Sequence, residues 1–228
     1  MTEQSVFTKK HSETMEHDKK AILEEMNLPP AVIDFIRKNK RTLQIAIVVI
    51  ILCVIGWEGY GKYKKTQLEN SSAMLYEAVK TESIDERISQ LNALSVQYAG
   101  KSGSGVWGSI ELGHIAFDQM KYKEAIDHYS KALEDISTQN PIYPLLQYSL
   151  AQTYENFGDS GSAENIYQKL IDISGFAGEG YMGMARLAEK EGDSTKAVGY
   201  YQNFLNLADT QPGPAKDWAD AKIAKLGE

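Results

Sequence analysis

Two histidines stand close to acidic residues, as side chains in a metal site or an acid–base pair would. His114 lies three residues after Glu111, and His128 directly follows Asp127. Neither pair comes with a third ligand at a metal-binding spacing, and catalysis also needs an orienting partner and a pocket that excludes water. The sequence therefore predicts no catalytic residues, no metal-binding residues and a protein that is not an enzyme.

Two stretches match the spacing G-x-G-x-x-G, which occurs in dinucleotide-binding sites. They cover residues 103–108 and 178–183. Such a site needs its glycines between a strand and a helix, where backbone amides meet the pyrophosphate. Each stretch here follows a segment with helical spacing. The alternation of apolar and polar residues that is typical of a strand does not occur. We therefore expect both stretches to be loops between helical units, and we predict no cofactor.

The only cysteine, Cys53, lies in an apolar run in which Gln44 is the only polar residue of the fifteen from 43 to 57. At about 1.5 Å per residue the run spans about 22 Å, and extension to Tyr60 gives about 27 Å, close to a membrane core of ~30 Å. The run starts too late and is too long for a cleaved signal peptide, and no small-x-small cleavage site follows it. We predict a transmembrane signal anchor at residues 43–60.

Basic residues flank this run on both sides. The nearby ones are Arg37, Lys38, Lys40 and Arg41 upstream, and Lys62, Lys64 and Lys65 downstream. All of residues 1–42 contain eight Lys and Arg, against four in residues 61–80. The positive-inside rule therefore favours a cytoplasmic N-terminus and places the larger part of the chain outside. The local count of four against three leaves the opposite orientation open.

The acidic residues concentrate after the apolar run. Residues 61–228 contain sixteen Lys and Arg against twenty-three Asp and Glu, a net charge of −7. A region this acidic is not expected to bind nucleic acid through bulk charge. Residues 1–42 are expected to form a cytosolic arm, partly disordered, that ends in a basic interfacial helix continuous with the span. We interpret residues 61–70 as a juxtamembrane linker.

Three classes of position recur after residue 71 with spacings of 38 and then 34 residues. The first is a small residue, the second is an alanine twelve residues later, and the third is a tyrosine four residues after that. They are Gly113, Ala151 and Ala185; Ala125, Ala163 and Ala197; and Tyr129, Tyr167 and Tyr201. The small residue lets a second helix approach, the alanine faces it, and the tyrosine fills the gap toward the next unit. The sequence therefore contains a repeat.

This pattern resembles tetratricopeptide repeats over roughly residues 71–210. The tryptophan expected four residues before each small residue is replaced by Ser109, Gln147 and Tyr181. Residues 71–80 and 85–98 read as a degenerate first pair, and residues 214–226 as a capping helix. The resemblance implies an all-α fold, in which a single transmembrane helix precedes a solenoid of about four helix pairs at residues 71–228.

The layout of anchor and repeats also resembles the YfgM-like bacterial family. The similar features are the stretch Phe35-Ile-Arg-Lys-Asn-Lys-Arg-Thr, a single span that ends in Gly56-Trp57, Ala-Met-Leu-Tyr-Glu-Ala at residues 73–78, and Gln-Tyr-Ala-Gly at residues 97–100. Members of that family are ancillary subunits of the SecYEG translocon. The resemblance implies a single-pass protein of the bacterial inner membrane whose repeat domain lies in the periplasm and assists exported proteins.

The functional surface of such a solenoid is the concave face lined by the first helix of each pair. Helical spacing from the small residues predicts a groove that binds a peptide or partner protein. Its residues are Trp107, Ile110, His114, Phe117, Leu145, Tyr148, Gln152, Glu155, Met182, Arg186 and Glu189. Trp107 and Phe117 are the expected apolar anchors, although both could instead pack against the degenerate first pair.

We therefore expect a membrane-tethered interaction protein, a scaffold or chaperone-like partner of the translocon. Its partners would be translocon subunits, periplasmic chaperones or exported clients, with membrane contact through residues 43–60, no nucleic acid and no small-molecule substrate. The alternative is an assembly adaptor that faces the cytosol or serves another envelope complex, such as a division or respiratory complex. The basic residues around the span decide only weakly between them.

Overall fold

The computed structural model describes residues 29–100, 103–207 and 213–227, and within these ranges the chain forms ten helices and no strand. In chain order they are α1 (Pro30–Lys38), α2 (Lys40–Lys80), α3 (Ile84–Gln97), α4 (Gly103–Asp118), α5 (Tyr122–Glu134), α6 (Tyr143–Phe157), α7 (Ser160–Ile171), α8 (Ala177–Glu191), α9 (Ser194–Leu205) and α10 (Pro214–Leu226). The predicted all-α architecture is confirmed. The described residues divide into two compact units, with the boundary between Tyr63 and Lys64.

In the first unit, a single residue separates α1 from α2. Asn39 adopts φ −109° and ψ 22°, and both its backbone N–H and its side-chain Nδ2 donate to the carbonyl of Phe35, at 2.9 and 3.0 Å. An asparagine side chain that bonds to nearby backbone competes with helix continuation. The expected continuous helix is therefore interrupted at Asn39. The part of the predicted arm before residue 29 lies outside the described residues.

Among the described helices, α2 alone is long and apolar enough to cross a membrane. None of its most apolar window is buried in the protein, and Leu52 and Trp57 are 62% and 85% exposed. Such a run of large apolar side chains is unfavourable in water. Residues 61–70, which we expected to form a linker, are helical and belong to α2.

In the second unit, the helices form a solenoid of antiparallel pairs. From α3 to α10, each helix packs against the next one along the chain, and α6 also contacts α8. The first pair consists of α3 and the C-terminal part of α2, where Ala78 joins Leu91 of α3 and Leu112 of α4 in one apolar cluster. The next three pairs are α4 with α5, α6 with α7 and α8 with α9. The last helix, α10, covers the final pair through Ala219, as predicted for a capping helix.

The repeat positions contact one another as the pattern predicts. Tyr129, Tyr167 and Tyr201 are almost completely buried. A Cβ added to Gly113 would lie 2.5 Å from Cε1 of Tyr129, so only glycine allows this approach. Tyr129 and Gly113 belong to the same pair. Tyr167 instead meets the next pair, where its ring lies against Gly183 of α8, two residues before the repeat position Ala185. Tyr167 therefore fills the gap between its own pair and the next.

The two G-x-G-x-x-G stretches are not loops, and this expectation is wrong. Their glycines lie inside the first two turns of α4 and of α8. A Cβ on Gly105 would lie 2.6 Å from the carbonyl oxygen of Tyr98, and one on Gly180 would lie 2.8 Å from that of Tyr167. These glycines therefore bring the first helix of a pair close to the preceding helix, which offsets their low helix propensity.

Three equivalent turns join the helices within the pairs. In each turn a residue at positive φ follows the first helix: Met120 at 58°, Gly158 at 93° and Gly192 at 78°. The next amide donates to a carbonyl five residues back, as in a Schellman motif, with distances of 2.8, 3.0 and 2.9 Å. Met120 thus adopts a left-handed conformation that the other two repeats assign to glycine, and side chains rarely tolerate it.

We predict that Met120→Gly raises the free energy of unfolding by about 0.5–1 kcal/mol. The substitution relieves strain of order 1 kcal/mol, and the greater freedom of glycine in the unfolded chain offsets part of this gain. Thermal unfolding of the full-length protein in detergent, followed by circular dichroism, measures the change.

The matched control is Gly158→Met, which places the same side chain in the same turn of the next repeat. It should lower the midpoint of unfolding, since it introduces the strain that the first substitution removes. A destabilised Met120→Gly variant would show that the Met120 side chain contributes more than its backbone conformation costs.

Candidate functional site

A cavity of about 260 Å³ lies between α4 and α6, the first helices of two neighbouring pairs. We call it the groove cavity. On α4 it is lined by Trp107, Ile110 and His114, whose spacing of three and four residues places them on one helix face. Its other lining residues are Ile142, Leu145, Leu146, Tyr148 and Ser149. The lining is mainly apolar, with the imidazole and two hydroxyl groups as polar contacts, as is common in ligand-binding clefts.

A second cavity of about 400 Å³ adjoins the first, between the start of α4 and the loop from α5 to α6. We call it the loop cavity. It shares Trp107, Ile110 and Ile142 with the groove cavity, so these three side chains form a common wall. The loop adds Asp135, Ile136, Ser137 and Asn140, and the remaining lining residues are Gly100, Gly103 and Val106.

The glycines of α4 explain why Trp107 is available to both cavities. Gly105 and Gly108 face α3, where added Cβ atoms would lie 2.6 Å from the carbonyl oxygen of Tyr98 and 3.2 Å from Cδ2 of Leu94. With that face of α4 packed closely, Trp107 and Ile110 project elsewhere on the helix. Trp107 remains 43% exposed, whereas Ile110 is buried.

The structure brings together five of the eleven residues predicted for the groove. These are Trp107, Ile110, His114, Leu145 and Tyr148, which all line the groove cavity. Gln152 lies one turn further along α6, and its Nε2 donates to the hydroxyl of Tyr148 at 3.0 Å. Gln152 therefore helps to hold Tyr148 in place at the end of the cavity.

Two predicted residues pack within the solenoid. Phe117 contacts the apolar cluster of the second pair and meets Tyr122 edge-on, with ring centroids 5.6 Å apart. Met182 packs against the cluster of the last pair, which includes Tyr201. The sequence left open that Phe117 packs against the degenerate first pair, and the structure places it against the second pair instead.

The remaining predicted residues form ion pairs between helices. Glu155 of α6 is buried; it accepts a hydrogen bond from the hydroxyl of Tyr167 at 2.8 Å and two from Arg186 of α8 at 3.0 and 3.2 Å. Lys190 donates to the backbone carbonyl of Glu155 at 3.0 Å. Burial alone raises the pKa of Glu155, but its bonds to Arg186 and Tyr167 outweigh burial and hold the pKa below its ordinary value.

One repeat later, Glu189 of α8 occupies the equivalent position. It accepts a hydrogen bond from the hydroxyl of Tyr201 and pairs with Lys222 of α10 at 2.6 Å. Burial raises the pKa of Glu189, and the bonds to Lys222 and Tyr201 lower it further than burial raises it. The equivalent residue of α4 is Phe117, so this pair of polar contacts is absent at the first of the three positions.

These groups are suited to holding helices together. Burial raises the pKa values of Tyr129, Tyr167 and Tyr201 well above their ordinary value of 10.0, so their hydroxyls stay protonated, while both glutamates stay ionised. Among the described residues, no group of three His, Cys, Asp or Glu side chains is arranged to hold a metal ion.

The sequence analysis did not predict two residues that line the cavities, Ile142 and Asp135. Ile142 lies three residues before Leu145, so the helical spacing that identified Leu145 extends to it. Asp135 lies in the loop between α5 and α6, where no periodicity applies. Its place in the loop cavity depends on how the two pairs stack.

Comparison with family models decides the family. A model described as a tetratricopeptide repeat-like domain matches residues 34–152, which is more than half of the chain. The chain belongs to the tetratricopeptide repeat-like family. Two further models, each described as a tetratricopeptide repeat, match residues 146–175 and 181–215. Tetratricopeptide repeats are protein-interaction modules, so this domain is a scaffold for protein–protein contacts, and protein partners are expected.

Solved structures show the same fold. Two crystal structures from Podosopora anserina, of kinesin light chain-type nearly identical TPR-like repeats and of a single-residue variant of them, are each 14% identical with a TM-score of 0.54. They cover 70% of this chain and 85% and 84% of their own chains. At this identity the likeness supports the repeat solenoid alone. No curated protein sequence matches the chain.

We predict that Arg186→Met lowers the free energy of unfolding by about 2–4 kcal/mol, because it leaves the buried carboxylate of Glu155 without its main partner. The double variant Glu155→Gln with Arg186→Met should lose less than the sum of the single variants. Lys65→Met, which removes a pair between exposed side chains 3.9 Å apart, is the control and should cost under about 0.5 kcal/mol. Chemical denaturation at neutral pH measures the stability of each variant against the wild type.

The same pair predicts a direction for acid sensitivity. The pKa of Glu155 is lower in the folded protein than its ordinary value of 4.5, so its stabilising contribution is complete above 4.5 and is lost as pH falls through the folded pKa. The double variant should therefore lose less stability in acid than the wild type. Equal losses would show that other carboxylates control acid unfolding.

Proposed function

We propose that this protein is a membrane-tethered tetratricopeptide-repeat scaffold that works at the Sec translocon, outside the cytoplasm, as a chaperone-like factor for exported proteins. The match of one family model to residues 34–152 carries this proposal. That single model includes both the apolar run of α2 and the first repeats, so the two parts belong to one family architecture. The likeness to the YfgM-like family supports the translocon as the partner.

The exposed side chains of α2 support insertion in a membrane. The run from residue 43 to 57 has large apolar side chains that the protein does not cover, and lipid would remove them from water. Trp57, Tyr60 and Tyr63 follow at its end, where aromatic residues anchor helices in the interface. A tether confines the repeat domain near its partner, so weak contacts in the groove act at a raised effective concentration.

The second candidate is an adaptor that faces the cytosol or serves another envelope assembly. The near balance of basic residues on the two sides of the run, four upstream against three downstream, supports this candidate. The two candidates differ in the side of the membrane on which the repeats lie, and topology therefore separates them.

We predict that an impermeant maleimide labels Gly103→Cys, but not Ser5→Cys, in intact spheroplasts that carry the protein without Cys53. Gly103 suits this purpose because a Cβ added there meets nothing within 4 Å. Labelling of both variants after permeabilisation is the control for reactivity. Labelling of Ser5→Cys alone would favour the cytosol-facing adaptor.

Affinity purification in mild detergent then tests the partner. We expect Sec subunits or periplasmic chaperones with the wild-type protein, and less of them with Leu145→Ser, which changes an exposed side chain of the groove cavity. The control variant is Glu164→Ser, at an exposed position on α7. Recovery of neither class of protein would count strongly against a role at the translocon.

A further inference from the structure

We propose that the groove cavity and the loop cavity together bind an extended, apolar peptide segment that carries a lysine or arginine, with the cation at Asp135. This inference rests on the proposed function in one respect, that protein segments are the ligands. It adds the chemical class of segment and the residue that selects it.

The two cavities form one binding surface because they share a wall. Trp107, Ile110 and Ile142 line both, and the indole of Trp107 is accessible from solvent. In an extended peptide, successive side chains point to opposite sides, so every second side chain faces the same surface. Neighbouring cavities with a common aromatic wall suit two such side chains, one in each cavity.

Charge distinguishes the two ends of this surface. Among the described residues that line the two cavities, Asp135 is the only Asp, Glu, Lys or Arg. The groove cavity accordingly suits an apolar side chain, and the loop cavity suits an aliphatic stem that ends in a cation. Lysine and arginine side chains have this form, with an apolar stem and a charged head.

The position of Asp135 strengthens its preference for a cation. Asp135 follows the last residue of α5, where the unpaired carbonyls of a helix C-terminus already favour positive charge. Gly100, whose φ of +61° favours glycine, lies beside the carboxylate: a Cβ there would be 3.9 Å from Oδ1 of Asp135, an ordinary van der Waals distance.

Asp135 also differs from the two glutamates of the ion pairs. Glu155 and Glu189 are each satisfied by a tyrosine and a basic residue of the solenoid. The ion pairs found among the described residues do not include Asp135. Its exposed carboxylate therefore remains available to a ligand, and the acidic balance of residues 61–228 disfavours an acidic peptide throughout.

The test uses full-length protein in detergent micelles and three fluorescent peptides measured by anisotropy. The peptides share one sequence of leucine, phenylalanine and serine and differ at two central positions, which are both lysine, both glutamine or both glutamate. We expect the lysine peptide to bind most tightly and the glutamate peptide least. Added salt should reduce the difference, since the charge contact is exposed.

Asp135→Asn should weaken binding of the lysine peptide about two- to fivefold and leave the glutamine peptide unchanged, as expected for an exposed ion pair. Asp172→Asn is the matched control: Asp172 follows α7 as Asp135 follows α5, it is likewise exposed, and its removal changes the net charge equally. Leu145→Ser should weaken both peptides, because it alters the apolar part of the surface.

Two results would overturn the inference: equal affinity for the lysine and glutamate peptides, or an equal effect of Asp135→Asn and Asp172→Asn. A self-associated protein that excludes all three peptides would identify a second copy as the occupant and would also contradict the proposal. None of these results depends on the translocon, so purification of Sec subunits with the protein remains a separate test of the proposed function.

Discussion

Close contact between a buried tyrosine and a small residue on a neighbouring helix is the interaction on which this repeat domain depends. Tyr167 shows it most completely. Its ring lies against Gly183 of α8, and its hydroxyl bonds to Glu155 of α6 and Arg186 of α8. One side chain of α7 therefore fixes the distance between the first helices of two successive pairs. Because the groove cavity lies between two such first helices, contacts of this kind also set the spacing of the residues that a ligand meets.

The polar contacts divide the solenoid into two parts with different roles. Toward the C-terminus, Glu155 and Glu189 each connect three helices and use the basic residues of that face for internal pairing. Toward the N-terminus, Phe117 replaces the glutamate, and both cavities lie beside α4. Ionised groups that are already satisfied offer little to a partner, whereas exposed apolar side chains next to cavities gain from being covered. We therefore propose that partners bind at the first clear repeat, and that the ion-paired repeats support this surface.

Much of this architecture could be predicted from the sequence because repeats report the same contact several times. The small residues, alanines and tyrosines identified the helix pairs, and helical spacing placed Trp107, Ile110 and His114 on one face. Helical spacing could not predict which polar residues on that face form internal ion pairs, because Arg186 bonds to Glu155 of a different repeat. Spacing also predicted loops for the glycine-rich stretches, which are helical. Glycine is favourable inside these helices because the neighbouring backbone approaches closely, as that of Tyr98 does at Gly105. Asp135 was not predicted either, because it lies in a loop and its neighbours depend on how the helix pairs stack.

The central claim is that the face between α4 and α6 contacts other proteins in the envelope of the living cell. A photo-crosslinking amino acid at position 145 tests it most directly, because Leu145 is exposed and lines the groove cavity. Position 164 on the exposed side of α7 serves as the comparison. The account predicts light-dependent adducts with translocon subunits or exported proteins from position 145 and few from position 164. Adducts from position 164 with none from position 145 would contradict it.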